Sequence, residues 1–217
     1  MYKRQILGAE EENEIPDGTV EDIQAWLADL AASTDDPILS AASWSNTLFG
    51  PEGPRKELLD EIVSDRPVIL YDDSGHAQWF NSVTIDLLGI DASTPDPAPG
   101  LSEFGRDESG EPTGYALEFA LVPSVGELFL DEESVLNAAV KEFIDALAAT
   151  GVTTVMDAGN LVFHDNIYSY VAELEAARDL PLRYEGSYHI ITPDQVDEAV
   201  SEVNRMRTEY GLSLIHI

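Results

Sequence analysis

The stretch Gly151-Val-Thr-Thr-Val-Met-Asp-Ala-Gly159 constrains the fold more than any other part of the chain. A helical run from Glu132 to Thr150 leads into it, and a second helix follows Asn160. Gly151 stands where a helix C′ residue belongs, because glycine enters the left-handed region without a Cβ penalty. Val152 to Val155 carries nothing more polar than threonine, the pattern of a strand covered on both faces. The run ends in Asp157, followed by two small residues that permit a tight loop. A carboxylate at the C-terminal end of a buried parallel strand sits where α/β barrels keep their chemistry, which makes Asp157 a catalytic candidate. The alternative is an aspartate that caps the following turn.

The rest of the second half repeats this alternation. Leu136, Ala139, Val140, Phe143 and Leu147 form one helical stripe, and Ile167, Tyr170, Val171 and Leu174 form another. Leu182 to Ile191 has strand character. Thr192-Pro-Asp-Gln195 combines an N-cap, a proline at the first helical position and a capping-box glutamine, and Val196, Ala199, Val200 and Val203 continue that helix. An α-β-α-β-α order with short links implies parallel strands joined by crossovers, an α/β fold. No Gly-x-Gly-x-x-Gly or phosphate loop supports a nucleotide-binding sheet.

The first half is less regular. Thr19 with Asp22 predicts a capped helix whose stripe is Ile23, Trp26, Leu27 and Leu30. Ile38 to Ser43 predicts a short strand and Arg55 to Val63 a short helix. Arg66-Pro-Val-Ile-Leu-Tyr71 is the clearest strand, and it runs into Asp72-Asp-Ser-Gly-His76. A histidine just past a strand end, beside glycine and carboxylates, is a candidate acid–base group; the alternative is a loop histidine held by Asp73. Trp79 and Asn81 follow as candidate substrate contacts, against core packing for Trp79 and a helix N-cap for Asn81, with Gly89 ending that helix. Residues 91–113 have little periodicity and are expected to form a loop. Glu118 is the one acid in the apolar stretch Tyr115 to Leu121. Burying it would cost several kcal/mol, about 3–5 for an unpaired charge, so a metal is one explanation and the exposed side of a short helix is the other.

Charge narrows the partners. There are 42 acidic residues against 11 basic ones, a net charge of −31. An apolar content of 44% argues against disorder and for a folded domain with an acidic skin, as in proteins adapted to high salt. Such a surface excludes nucleic acid and anionic membranes as partners. No apolar run approaches the ~20 residues of a membrane helix. The absence of cysteine excludes disulfides and thiolate metal sites and leaves the compartment open.

Asp65-Arg-Pro-Val-Ile-Leu70, Ser74-Gly-His-Ala-Gln-Trp-Phe-Asn-Ser82 and Leu87-Leu-Gly-Ile90 resemble the amidohydrolase family 3 branch of metal-dependent hydrolases, which includes N-substituted formamide deformylases. Gly110-Glu-Pro-Thr-Gly114 with Glu118, residues 151–159 and Leu180-Pro-Leu-Arg183 continue the resemblance in the same order. Ser74 stands where the family has the aspartate of Asp-Gly-His, with Asp73 adjacent as a substitute; Ala116-Leu117 lacks the arginine that often precedes the glutamate. The resemblance implies a partial (β/α)8 TIM barrel with a large α+β insertion after its first strand. Residues 6–130 would be that insertion and 131–211 a barrel segment, with 152–157 the second strand and 182–190 the third. It implies a divalent metal, zinc being the expected ion, activating water against an amide- or formamide-type C–N bond of a small-molecule substrate. His76 and Asp157 are then the catalytic candidates, Trp79 and Asn81 the substrate-binding ones and Glu118 the metal ligand. The family's His-x-His does not occur: His76, His164, His189 and His216 form no such pair.

Both ends are expected to be adapter-derived scars, residues 1–5 and 212–217. The last six residues can be encoded by a DNA string whose reverse complement, with GTG as start codon, encodes Met1-Tyr-Lys-Arg-Gln5. That string matches a transposon end used in preparing sequencing libraries. The chain is then an internal piece of a longer protein, and catalysis is not expected from it alone. The competing class is an acidic, non-catalytic module binding Ca²⁺ through carboxylates, although no Asp-x-Asp-x-Asp-Gly loop is present.

Overall fold

The computed structural model describes residues 14–121, 133–159, 163–190, 195–211 and 213–216. They fall into two compact units, Met1–Ser124 and Val125–Ile217. The expected scar at 1–5 and the expected cap Thr192-Pro-Asp lie outside the described residues.

The first unit is α+β. Helix α1 (Val20–Ser33) opens with the capping box: the Asp22 amide donates to Thr19 Oγ1, and Asp22 Oδ2 accepts from the Thr19 amide at 2.8 Å. Ile23 and Leu27 are its buried residues. Its last carbonyls receive the Arg66 guanidinium, which donates to Ala31 and Thr34 and so satisfies acceptors left open by the helix end. Strands β1 (Leu39–Trp44), β2 (Val68–Asp72), β3 (Ala77–Phe80), β4 (Phe104–Arg106) and β5 (Pro112–Leu117) form one sheet in the order β1-β2-β3-β5-β4. β1 and β2 are parallel and the other pairings antiparallel. Helix α2 (Glu57–Asp60) is shorter than the expected 55–63, and α3 (Ser82–Leu88) ends at Gly89 with φ 65°. One sheet face meets α1 through Leu70 and Trp79, where Trp44, Phe49 and Trp79 pack edge to face at 5.2–6.2 Å.

The expected loop at 91–113 contains β4 and the start of β5. The turn between them closes through Asp107, whose Oδ1 accepts from the Ser109 and Glu111 amides. Gly114 lies inside β5 with φ 86°, and a Cβ there would stand 2.3 Å from the Phe80 carbonyl oxygen and 2.6 Å from Lys56 Cβ.

The second unit is α/β. Helices α4 (Glu133–Ala149), α5 (His164–Ala177) and α6 (Gln195–Tyr210) alternate with parallel strands β6 (Thr154–Met156), β7 (Arg183–Tyr188) and β8 (Ser213–His216), ordered β6-β7-β8. Gly151 has φ 89°, and the Val152 amide reaches back to Leu147 O, as a left-handed helix stop requires. Residues 213–216, set aside in the sequence reading, form β8. β6 departs from the expected strand covered on both faces: it pairs on one side only among the described residues, Thr154 is exposed and Met156 is 51% exposed. The stripe of α6 also differs from expectation. Ala199, Val203 and Met206 are buried while Val196 and Val200 face outward, a rotation that brings 199, 203 and 206 onto one side.

Arg205 ties α6 to the start of α5. It donates to Asp165 Oδ1 at 2.8 Å, Glu202 Oε2 at 2.8 Å and Glu209 Oε2 at 2.7 Å, and the Tyr210 hydroxyl joins Asp165 at 2.7 Å. Burial pushes the Asp165 carboxyl up, but the bonds from Arg205 and Tyr210 outweigh it and hold the group below its ordinary value. A depressed carboxylate contributes stability above its unfolded value of about 3.9, and that stability is lost as pH falls through the folded value. Asp165 and Arg205 are both partly exposed, so Arg205→Ala is expected to cost about 1 kcal/mol, less in high salt. Urea unfolding followed by far-UV circular dichroism, at neutral and acid pH and at two salt concentrations, checks this. The variant's loss should shrink below the folded titration of Asp165.

Candidate active site

β2 ends in Asp72, a carboxylate that is only 4% exposed. Its Oδ1 accepts from the Ala77 amide at 3.0 Å; its Oδ2 accepts from Ser74 Oγ at 2.5 Å and from Asn46 Nδ2 at 3.4 Å. Its carbonyl accepts from the Gly75 amide, and Gly75 takes φ 73°, which reverses the chain into β3. A buried carboxylate is tolerable only when hydrogen-bonded in this way. The His76 amide in turn donates to Ser74 Oγ at 3.3 Å. The resemblance suggested Asp73 as the stand-in for the family's aspartate at position 74. The structure instead links Ser74 to Asp72, because Asp73 points out of the turn, exposed, with its amide on the Trp44 carbonyl.

His76 meets Glu118. The β3–β5 ladder pairs Ala77 with Leu117, so the next rung places His76 opposite Glu118. The Glu118 amide donates to the His76 carbonyl at 2.7 Å, and His76 Nδ1 lies 3.0 Å from Glu118 Oε2. Glu118 has φ 53°, uncommon for a residue with a Cβ, and there it ends β5. The side chains are 62% and 25% exposed respectively, so the pair sits at the sheet's end with the imidazole outward. Two readings are corrected here: His76 is held by Glu118 rather than Asp73, and Glu118 ends a strand rather than riding on a helix.

Trp79 and Asn81, expected as substrate contacts, lie fully buried. The Trp79 indole donates to the Arg55 carbonyl at 3.0 Å. Asn81 caps α3 through the Thr84 amide, accepts from the Val68 amide, and donates from Nδ2 to the Val63 and Arg66 carbonyls. Both polar atoms of that side chain are engaged within the protein, Oδ1 also accepting from Thr84 Oγ1 at 2.8 Å, which gives it a framework role.

In the second unit Asp157 follows β6 and is 6% exposed. Oδ1 accepts from the Gly159 amide at 2.9 Å and Oδ2 from the Tyr184 hydroxyl at 2.8 Å. Its carbonyl accepts from Ser187 Oγ at 2.8 Å, and Ser187 is bonded through its backbone to the Tyr168 hydroxyl. The aspartate therefore sits at a strand's C-terminal end and also stabilises the turn after it. Gly159 lets His189 approach: a Cβ there would stand 2.7 Å from His189 Cβ.

Among the described residues no group of three or more His, Asp or Glu side chains could hold a metal ion, so these residues do not fit a complete metal centre. The Asp91 and Asp107 carboxylates fold back onto the serines and amides of their own loops. Among the described residues no helix is long and apolar enough to cross a membrane.

The chain is 26% identical over 162 residues to the exoenzymes regulatory protein AepA of Pectobacterium carotovorum subsp. carotovorum, covering 74% of this chain and 34% of that protein. It is 48% identical over 67 residues to the N-substituted formamide deformylase of Arthrobacter pascens, covering 31% of this chain and 12% of that one. A solved, uncharacterized metal-dependent hydrolase from Pyrococcus horikoshii OT3 superposes with a TM-score of 0.49 at 18% identity, over 88% of this chain and 35% of that one. The matches thus span about a third or less of the curated relatives' length. The family model matches residues 9–213, and the chain belongs to the Amidohydrolase family.

Proposed function

We propose that this chain is part of a metal-dependent hydrolase that cleaves an amide- or formamide-type C–N bond in a small-molecule substrate. The observation that carries the reading is the pairing of His76 with Glu118 at 3.0 Å, which joins two motif residues 42 positions apart at the open end of one sheet. A solvent-facing imidazole backed by a carboxylate has the geometry of a general acid–base group, the work an amide hydrolysis needs at its leaving nitrogen. Family membership implies a divalent metal, with zinc the expected ion; when bound it would supply an activated water. Its ligands are proposed to lie mainly beyond the described residues, with Glu118 as this chain's candidate. Asp157, at the end of β6, is proposed as a further catalytic candidate, on the second strand of a partial (β/α)8 barrel, with the first unit as an insertion. On this reading the isolated chain does not turn over substrate.

The test is Glu118→Ala in the full-length parent, with metal content and turnover of an N-substituted formamide measured together. A fall of about tenfold or more in either is expected, the size seen when a partner of a functional histidine or metal is removed. Unchanged values for both would end the reading.

A further inference from the structure

We propose that the Asp72–Ser74 turn and the Glu118 carboxylate together hold His76 as its Nδ1–H tautomer, so that Nε2 is the atom that works. A neutral imidazole carries one N–H, and a carboxylate can only accept. The 3.0 Å contact between Nδ1 and Glu118 Oε2 therefore places the proton on Nδ1 and leaves a lone pair on Nε2. Among the described residues Nε2 has no partner, and the side chain that carries it is 62% exposed.

The imidazole is held from both directions along the backbone. On one side its amide donates to Ser74 Oγ, which donates to the buried Asp72; Asp72 also accepts from the Ala77 amide immediately after the histidine. On the other side the His76 carbonyl accepts from the Glu118 amide at 2.7 Å. Glu118 adopts its left-handed φ of 53° at the point where its carboxylate must turn back to Nδ1, so the unusual backbone is found at the residue that orients the ring. Asp72, Ser74 and the Oε2 atom of Glu118 position the ring, which leaves Glu118 Oε1 for the proposed metal, and His76 is the residue that would touch substrate. The use of Nε2 rests on the hydrolase reading; the tautomer does not.

The experiment is a long-range ¹H–¹⁵N correlation of the histidine rings in the 217-residue chain. It is recorded at about pH 9, where an ordinary imidazole is neutral, with His76 assigned by the signals lost in His76→Gln. His76 should show a protonated Nδ1 and an unprotonated Nε2. Glu118→Gln, whose side-chain carbonyl still accepts, should keep that pattern; Glu118→Ala should move the proton to Nε2, and Ser74→Ala should give a mixture. A wild-type ring protonated on Nε2 overturns the proposal without any variant having to fold, as does a Glu118→Ala spectrum unchanged from wild type. A protonated Nδ1 in a parent enzyme that hydrolyses no amide would sink the hydrolase reading and leave the tautomer standing.

Discussion

Gly114→Ala is expected to destabilise the first unit by about 3 kcal/mol or more, enough to leave much of it unfolded. Two costs add at that position. The backbone sits at φ 86°, where a side chain is strained whatever the space around it. The new Cβ would also lie 2.3 Å from the Phe80 carbonyl and 3.0 Å from Lys56 Cα, both backbone atoms that cannot swing aside. Relief would require parting β5 from the segment at Lys56, whose amide donates to the Thr113 carbonyl at 2.7 Å. All three tryptophans lie in this unit, so urea unfolding followed by tryptophan fluorescence reports on it alone. A loss below about 1 kcal/mol would show that β5 yields there, contrary to the packing described.

Asn81→Ala should have an effect of similar size, about 3–5 kcal/mol, for a different reason. Removing the amide leaves the Val63 and Arg66 carbonyls without the donor that now serves both, at 3.0 and 2.9 Å, and uncaps the Thr84 amide. The Val68 amide keeps Thr84 Oγ1 at 3.1 Å and is not orphaned. The buried Val63 carbonyl left alone costs about 1–3 kcal/mol, the part-buried Arg66 carbonyl about 1, and the lost cap about 1. Asn81→Ser restores the cap without reaching the two carbonyls and should fall between. If Asn81 instead served mainly to touch substrate, Asn81→Ala would unfold at nearly the wild-type urea concentration.

How much of this was visible in the chain depends on how local the determinants are. Thr19 with Asp22, Asn81 with Gly89, and Gly151 after α4 act within a few residues, so their sequence positions suffice to place helix ends. β3 was not expected as a strand: it has four residues, all buried, and lacks the alternation that identifies a half-buried strand. The β4–β5 hairpin was hidden by Gly110-Glu-Pro-Thr-Gly114, whose glycines and proline suit a loop. The four residues named from the first-half motifs divide accordingly. His76 and Glu118 are brought together by antiparallel pairing across 42 positions, a long-range event that no local pattern encodes, whereas Trp79 belongs to β3, a strand buried on both faces, and Asn81 is held inside by the cap of α3. Asp72 was not singled out because its burial comes from β2 lying inside the sheet, although the Ser74 and Ala77 groups it accepts from are within five residues of it.

The alignment of His76 with Glu118 is inherited from ladder register, since Trp79, Gln78 and Ala77 face Tyr115, Ala116 and Leu117 rung by rung. A side chain along those rungs can be exchanged without moving the pair, but an added or deleted residue in either strand would turn every later side chain to the opposite face. A residue inserted between Ala77 and Trp79, or between Tyr115 and Leu117, is therefore expected to part His76 from Glu118, whereas one inserted between Gly89 and Phe104 leaves the register of these two strands as it is.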